Sequence, residues 1–280
     1  MSPVADASAH VMVDRAAVAP SMRRTLTGLR RYRHLLRNLV LKDLKLKYRG
    51  SVIGFAWSLA NPLLMAVIYT IAFRHILRMR SEGFVFYMML GLLAWTFFAN
   101  SLAMSTGSIA DNGGLVMSVW FPRAILPIAT VLFNLAQYIL TVLVFLPLML
   151  VYYQVPFAAP MLLFPVFVAL QALFTIGVAL ILATGTAFYR DVRHLVDVAL
   201  MVLFWATPIV YTLQDLSGRM YAVILFSPLS AYVTAYHSIF YERQWPEPAI
   251  WAIAVTYAAA SLAMGLWLVV RYEDSFAERV

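Results

Sequence analysis

The sequence predicts an all-α polytopic membrane protein: six transmembrane helices, an N-terminal amphipathic interface helix, and re-entrant helices between spans five and six. Three observations predict it. The 280 residues are 63% hydrophobic and only 12% charged, whereas a soluble domain carries roughly 25% charged residues. Polar groups are too few to cover the apolar surface, so lipid must cover part of it. The apolar residues also gather into stretches of about 20, the length that crosses a hydrocarbon core. Finally, the 21 Lys and Arg outnumber the 13 Asp and Glu and lie between those stretches. In a soluble chain that excess would suggest nucleic acid; here it sets orientation, and no nucleic-acid partner is expected.

Residues 1–25 contain Pro3, Pro20 and many alanines but no long apolar run. They predict a disordered cytoplasmic tail rather than a signal peptide. Residues 26–272 form a single transmembrane domain, and 273–280 a cytoplasmic C terminus. Within the domain, 28–48 is the interface helix. Leu29, Tyr32, Leu35, Leu36, Leu39 and Val40 fall on one face of a 100° wheel, with Arg30, Arg31, Arg37 and Asn38 opposite.

The spans are expected at about 52–74, 84–107, 124–151, 161–188, 195–213 and 249–270. The third and fourth come from one long uncharged run, divided where YYQVPFAAP (152–160) places two prolines and a glutamine. Residues 219–241 are apolar enough to span, but Pro228 interrupts them. Proline removes a donor and clashes with the preceding turn, so two short re-entrant helices fit better than one span. Their broken backbone must pack on the bundle, since lipid cannot satisfy it. With the amino terminus inside, 16 Lys and Arg fall on the inner side and five on the outer. That bias predicts both termini in the cytoplasm.

Several chemistries are missing. No Gly precedes a Lys, so there is no phosphate loop. There is no H-E-x-x-H and no cysteine, hence no thiol nucleophile or disulfide. No metal site is expected. Ion-coupled carriers keep ionisable groups inside the membrane, but only Asp197, near the inner end of the fifth span, comes close. Its expected role is a boundary residue near Arg193. The chain therefore carries no visible energy source: it runs downhill or borrows energy from another subunit.

Three segments are informative together. Residues 43–62 (DLKLKYRGSVIGFAWSLANP) run from the basic helix into the first span. They include Gly50 and Gly54, spaced for close helix approach. Residues 112–127 (NGGLVMSVWFPRAILP) form the loop between spans two and three. Residues 188–194 (FYRDVRH) are followed by ATPIVY at 206–211. In this order and in these places, the chain resembles the membrane subunit, or permease, of ABC-2-type polysaccharide exporters, which export O-antigen, capsule and teichoic acid chains. The resemblance covers about residues 30–272.

The resemblance implies a homodimer, so a second copy of the chain is a partner. Two ATP-binding cassette subunits would dock on the cytoplasmic face. Cofactors would be none in this chain, with ATP and Mg on that separate partner. The substrate would be a lipid-linked glycan of O-antigen or lipopolysaccharide type, moved across the cell inner membrane among membrane lipids. The chain would be a transport subunit, not an enzyme.

Residue roles follow as expectations. The 112–123 loop resembles a coupling helix, with Asn112, Leu115, Val116, Trp120, Phe121 and Arg123 as ATPase-coupling residues. Its large apolar groups need a pocket, on the ATPase or on this chain's own helix ends. Arg30, Arg31, Arg37, Lys42, Asp43, Lys45, Lys47 and Arg49 of the interface helix are candidates for an anionic headgroup, or else fix topology. Arg190, Asp191 and Arg193 form an inner turn. Asp191 is expected to cap the following helix by accepting from its free amides; contact with the ATPase or a lipid pyrophosphate is the other reading. An arginine fork suits phosphate.

Aromatic rings stack on sugar faces but also form interface belts. Tyr69, Trp95, Phe97, Phe98 and Tyr138 are the conduit candidates, lying deep or beside Asn100, Asn134 and Gln137. Tyr87, Tyr152, Tyr153, Tyr211 and Trp245 are expected in the belt. The rivals are an ABC-2 permease for drugs or small lipids, a membrane-embedded lipid- or glycan-modifying enzyme using Asp191, His194 and Asp197, and a secondary carrier.

Overall fold

The structure, a computed structural model, describes residues 31–50, 56–76, 83–114 and 121–273. Among these the secondary structure is entirely helical. In chain order the α-helices are α1 (Arg33–Tyr48), α2 (Ala56–Thr70), α3 (Phe84–Thr106), α4 (Ile125–Tyr152), α5 (Phe164–Phe188), α6 (Val192–Trp205), α7 (Gly218–Leu225), α8 (Ser230–His237) and α9 (Pro248–Tyr272). A wider π turn, Ile71–Ile76, continues α2, and another, Ser238–Glu242, continues α8.

Among the described residues, four helical segments are long and apolar enough to cross a membrane: Phe84–Thr106, Ile125–Tyr152, Ala159–Phe188 and Pro248–Tyr272. The bent pair Gly218–Leu225 and Ser230–Glu242 makes a fifth if taken as one span. Punctuation in the sequence sets their ends. Gly83 takes φ +81° before α3, a conformation that costs glycine little. Gln154 (φ 51°) turns the chain between α4 and the 3-10 turn Ala159–Leu163 that leads into α5. Pro248 opens α9, where its missing N–H is no loss.

One expected span is shorter than forecast, and another lies partly outside the described residues. Within the described residues the first is α2 with its π turn, an apolar run over Ala60–Phe73. The fifth, expected over 195–213, is helical only over Val192–Trp205. Fourteen residues rise about 21 Å, short of a core about 30 Å thick. The cause is Pro208, which cannot donate into a helix and forces residue 207 out of helical backbone. Side chains meet the freed carbonyls: Tyr87 Oη donates to Tyr211 O at 3.0 Å, and Ser230 Oγ donates to Ala206 O at 3.2 Å.

The two arms of the bent pair cross at 97° and have different environments. In α7, Met220 and Val223 are exposed, and Ile224 is its one buried residue. In α8, Tyr232 and Tyr236 are fully buried, among the largest side chains in the core. Tyr232 Oη donates to Ala254 O of α9 at 2.8 Å. Tyr236 Oη donates to Gln171 Oε1 at 2.7 Å, and Gln171 Nε2 donates to Ala94 O at 2.9 Å. One glutamine thus ties α3, α5 and α8 together at the centre of the bundle.

The closest helix approach joins α5 and α9. A Cβ on Gly177 would lie 2.3 Å from the Ser261 carbonyl carbon, and one on Gly265 would lie 2.5 Å from Gly177 O. Ser261 and Gly265 are spaced as small-x-x-x-small, and small residues are what let membrane helices touch backbone to backbone.

Candidate functional site

α1 is amphipathic and packs its apolar side on the start of α4. Tyr32, Leu35, Leu36 and Leu39 are part-buried against Phe121, Ile125 and Leu126. Arg31, Arg37, Lys42, Lys45, Lys47 and Arg49 are exposed, and Asp43 is part-buried. Lys42, Lys45 and Arg49 line an open depression with Asn38, Leu41 and Leu46. Arg30 lies outside the described residues.

The loop of the expected coupling helix is anchored at both ends. At its start, Asp111 Oδ1 accepts from Arg193 Nη2 at 2.5 Å, joining the Ala110–Asn112 turn to the first turn of α6. Asn112 is exposed, and its Nδ2 donates to Ser108 O at 2.8 Å. At its end, Phe121 is only 3% exposed, with its ring under α1. Arg123 donates through Nη1 to Glu273 O, and its backbone N–H reaches Glu273 Oε1 at 3.4 Å. Leu115, Val116 and Trp120 lie outside the described residues.

The inner turn differs from expectation in one respect. Asp191 occupies the N-cap of α6 but makes no side-chain cap, because its backbone is already helical (φ −66°, ψ −15°). A capping side chain needs extended backbone at that position. Arg193 pairs with Asp111, a partner the sequence did not suggest. Arg190, His194 and Asp197 stand exposed. No group of three or more His, Asp or Glu able to hold a metal lies among the described residues.

The aromatic candidates divide by helix face. Trp95 and Phe98 point into the bundle: Phe98 stacks on Phe174 at 5.5 Å, and Trp95 meets Phe204 edge-on at 5.5 Å. Tyr69 is part-buried beside Phe73 on the π-turn side of α2. Tyr87, expected in the belt, is buried and stacks on the His237 ring at 3.6 Å, because its hydroxyl is needed at the broken segment after α6. Tyr152 and Trp245 are exposed, as belt residues are.

Phe97 and Tyr138 stack on each other at 5.4 Å and form the floor of a polar cleft of about 330 Å³. Leu93, Thr96, Phe97 and Asn100 of α3 line one wall, and Asn134, Gln137, Tyr138 and Thr141 of α4 another. Each set follows the i, i+3, i+4, i+7 spacing of a single helix face. Trp57, Asn61 and Pro62 of α2 close the third side, and Lys47 stands at the mouth. Lys47 Nζ donates to Gln137 Oε1 and lies 5.8 Å from the Phe133 ring centre. Partial burial moves its ammonium below the usual lysine range, because desolvation disfavours the charged form. Asn134 Nδ2 donates to Thr130 O at 2.9 Å. The periodic amides were the signal that could have located this cleft; Trp57 and Asn61, on a different helix, gave none.

Residues 34–241 match the family model described as "ABC-2 type transporter". The chain is 37% identical over 250 residues to "O-antigen export system permease protein RfbA" of Myxococcus xanthus, covering 86% of this chain and 95% of that protein. A protein of the same name from Klebsiella pneumoniae is 30% identical over 199 residues, covering 71% and 77% respectively. A matched family model over most of the chain, together with full-length relatives at this identity, shows that this multi-pass membrane protein belongs to the ABC-2 type transporter family.

Proposed function

We propose that the chain is the permease of an ATP-driven exporter that moves a lipid-linked O-antigen-type glycan out across the cell inner membrane. The observation that carries the proposal is the 37% identity to a protein named as an O-antigen export permease, across 95% of that protein's length. The chain acts as a transport subunit, and ATP with its Mg is bound and hydrolysed on a separate partner.

In this reading two copies of the chain assemble with two ATP-binding cassette subunits. α2, and α6 together with the broken segment 206–213 that follows it, complete a set of six spans, α1 lies in the membrane interface, and α7–α8 re-enter from the outer side. Both termini are cytoplasmic, which the 16 to five division of Lys and Arg supports. The coupling role of the 112–123 loop is supported by its anchors. A push on it reaches α6 through Asp111–Arg193, α1 through Phe121, and the end of α9 through Arg123–Glu273. The cations of α1 offer the anionic headgroup its contacts.

The test is genetic and biochemical together. Deleting the gene is expected to remove surface O-antigen and leave lipid-linked glycan inside the inner membrane. The purified chain is expected to hydrolyse no ATP until its ATPase partner is added. Unchanged surface glycan in the deletion strain, or hydrolysis by this chain alone, would reject the reading.

A further inference from the structure

We propose that the cleft between α2, α3 and α4 is a sugar subsite, receiving one residue of the glycan within a single protomer. The inference rests on the export reading above and deepens it by naming a place and a chemistry.

The depth of the cleft makes the argument. Asn100 lies about 9 Å inside the end of α3, and Asn134 about 14 Å inside the start of α4, at 1.5 Å per residue. Both helices have membrane length. Carboxamides at such depth are costly to leave facing lipid. Among the described residues, the side chains of Asn61 and Asn100 make no hydrogen bond, yet both line the cleft. An acyl chain would leave them unsatisfied. A sugar hydroxyl both donates and accepts, as a carboxamide does, so a ring of hydroxyls matches the two asparagines together with Thr96.

The rest of the lining fits the same ligand. Trp57, 51% exposed, offers an indole face at the edge, and Phe97 with Tyr138 offers an apolar floor for pyranose C–H groups. Among the described residues no Asp or Glu lines the cleft, and Lys47 guards its mouth, so an anionic substituent on the sugar is met by a cation. The volume, about 330 Å³, is at the low end of small-molecule pockets: room for a sugar residue, not for a folded chain.

The chain has no cysteine, so single cysteines can be read in the native background. Pro62→Cys and Gln137→Cys, which line the cleft but are assigned no sugar contact, probe two walls, and the exposed His194→Cys serves as reference. Maleimide labelling is compared in intact complexes, in cells that synthesise the glycan and in cells lacking its glycosyltransferases. The expected result is labelling at both cleft positions slowed about tenfold by glycan synthesis, as nine-tenths occupancy requires, with His194→Cys unchanged. Fast labelling in both strains would overturn the proposal in favour of a water-filled cleft. Slow labelling in both would overturn it in favour of a resident lipid or a second copy. If the deletion strain still displays its surface glycan, the export reading itself falls. If export needs the chain but the cleft is unprotected, only the subsite falls.

Discussion

The interface of α5 with α9 and the cleft walled by α2, α3 and α4 are built on opposite rules. At the first, Gly177, Ser261 and Gly265 remove side chains, so the backbones touch and nothing can enter. At the second, Asn61, Phe97, Asn100 and Tyr138 hold three helices apart around a polar space. In lipid there is no hydrophobic force to press helices together, so close packing and small residues supply the attraction. Helices meant to part, or to admit a ligand, carry large polar groups instead. The comparison predicts that substitutions at the dry interface cost folded protein, whereas substitutions on the polar side cost only function.

The largest effect is expected at Gly177. Gly177→Val places its Cβ, and two methyls beyond it, against the Ser261 backbone where 2.3 Å separates ideal positions. Overpacking costs about 1–3 kcal/mol where side chains can shift, and more where they cannot; backbone cannot. Purified yield and thermal unfolding in detergent should both collapse. A variant of normal stability would break the contrast, since it would mean that α5 and α9 separate readily.

Phe98→Ala sharpens the contrast inside one helix. Phe98 is 1% exposed, stacks on Phe174 and lies tilted against Trp95, away from the cleft. Its truncation should destabilise by about 3–5 kcal/mol, seen as lost protein in the membrane. Trp57→Ala, at the cleft edge, should leave the protein level intact while lowering surface glycan. A Phe98→Ala variant that is stable but fails to export would return Phe98 to the conduit.

These residues also show what the sequence could and could not disclose. The long uncharged runs reveal α3, α4, α5 and α9, because twenty apolar residues have few other uses. The prolines at 156, 160 and 228 reveal the turns. The rotation of a helix is another matter. In α3 only Thr96 and Asn100 mark the cleft face, a weak signal beside so many apolar neighbours, and Phe97 differs from Phe98 by only one 100° step. The burial of α8 is hidden for the same reason: Ser230, Tyr232, Tyr236 and His237 make it more polar than the spans, yet it is the most buried helix. The polar groups of Tyr232, Tyr236 and His237 are met by the carbonyl of Ala254, by Gln171 and by the carbonyl of Tyr87, partners distant in sequence. The expected Asp191 cap fails on backbone conformation, which composition does not encode.

The smallest stability effect is expected at Asp111. Its pair with Arg193 is short, but the side chains are 60% and 44% exposed, and exposed pairs contribute about 0–1 kcal/mol. Asp111→Asn keeps the shape and removes the charge, so the thermal midpoint should barely move. The pair nonetheless joins the Ala110–Asn112 turn to the start of α6, and Gly107 leaves room for it: a Cβ there would sit 2.3 Å from Asp111 Oδ2. A strut that stabilises little but fixes two loops acts on the transmission of force. Asp111→Asn should therefore uncouple the complex, retaining ATP hydrolysis while glycan export falls, and Arg193→Gln should do the same. In the unaltered complex, raising salt from 0.1 to about 1 M shortens the Debye length from about 10 to about 3 Å and should weaken coupling in the same direction. Coupling that withstands both changes would place the polar side's rigidity elsewhere, in Arg123–Glu273 or in the packing of Phe121 beneath α1.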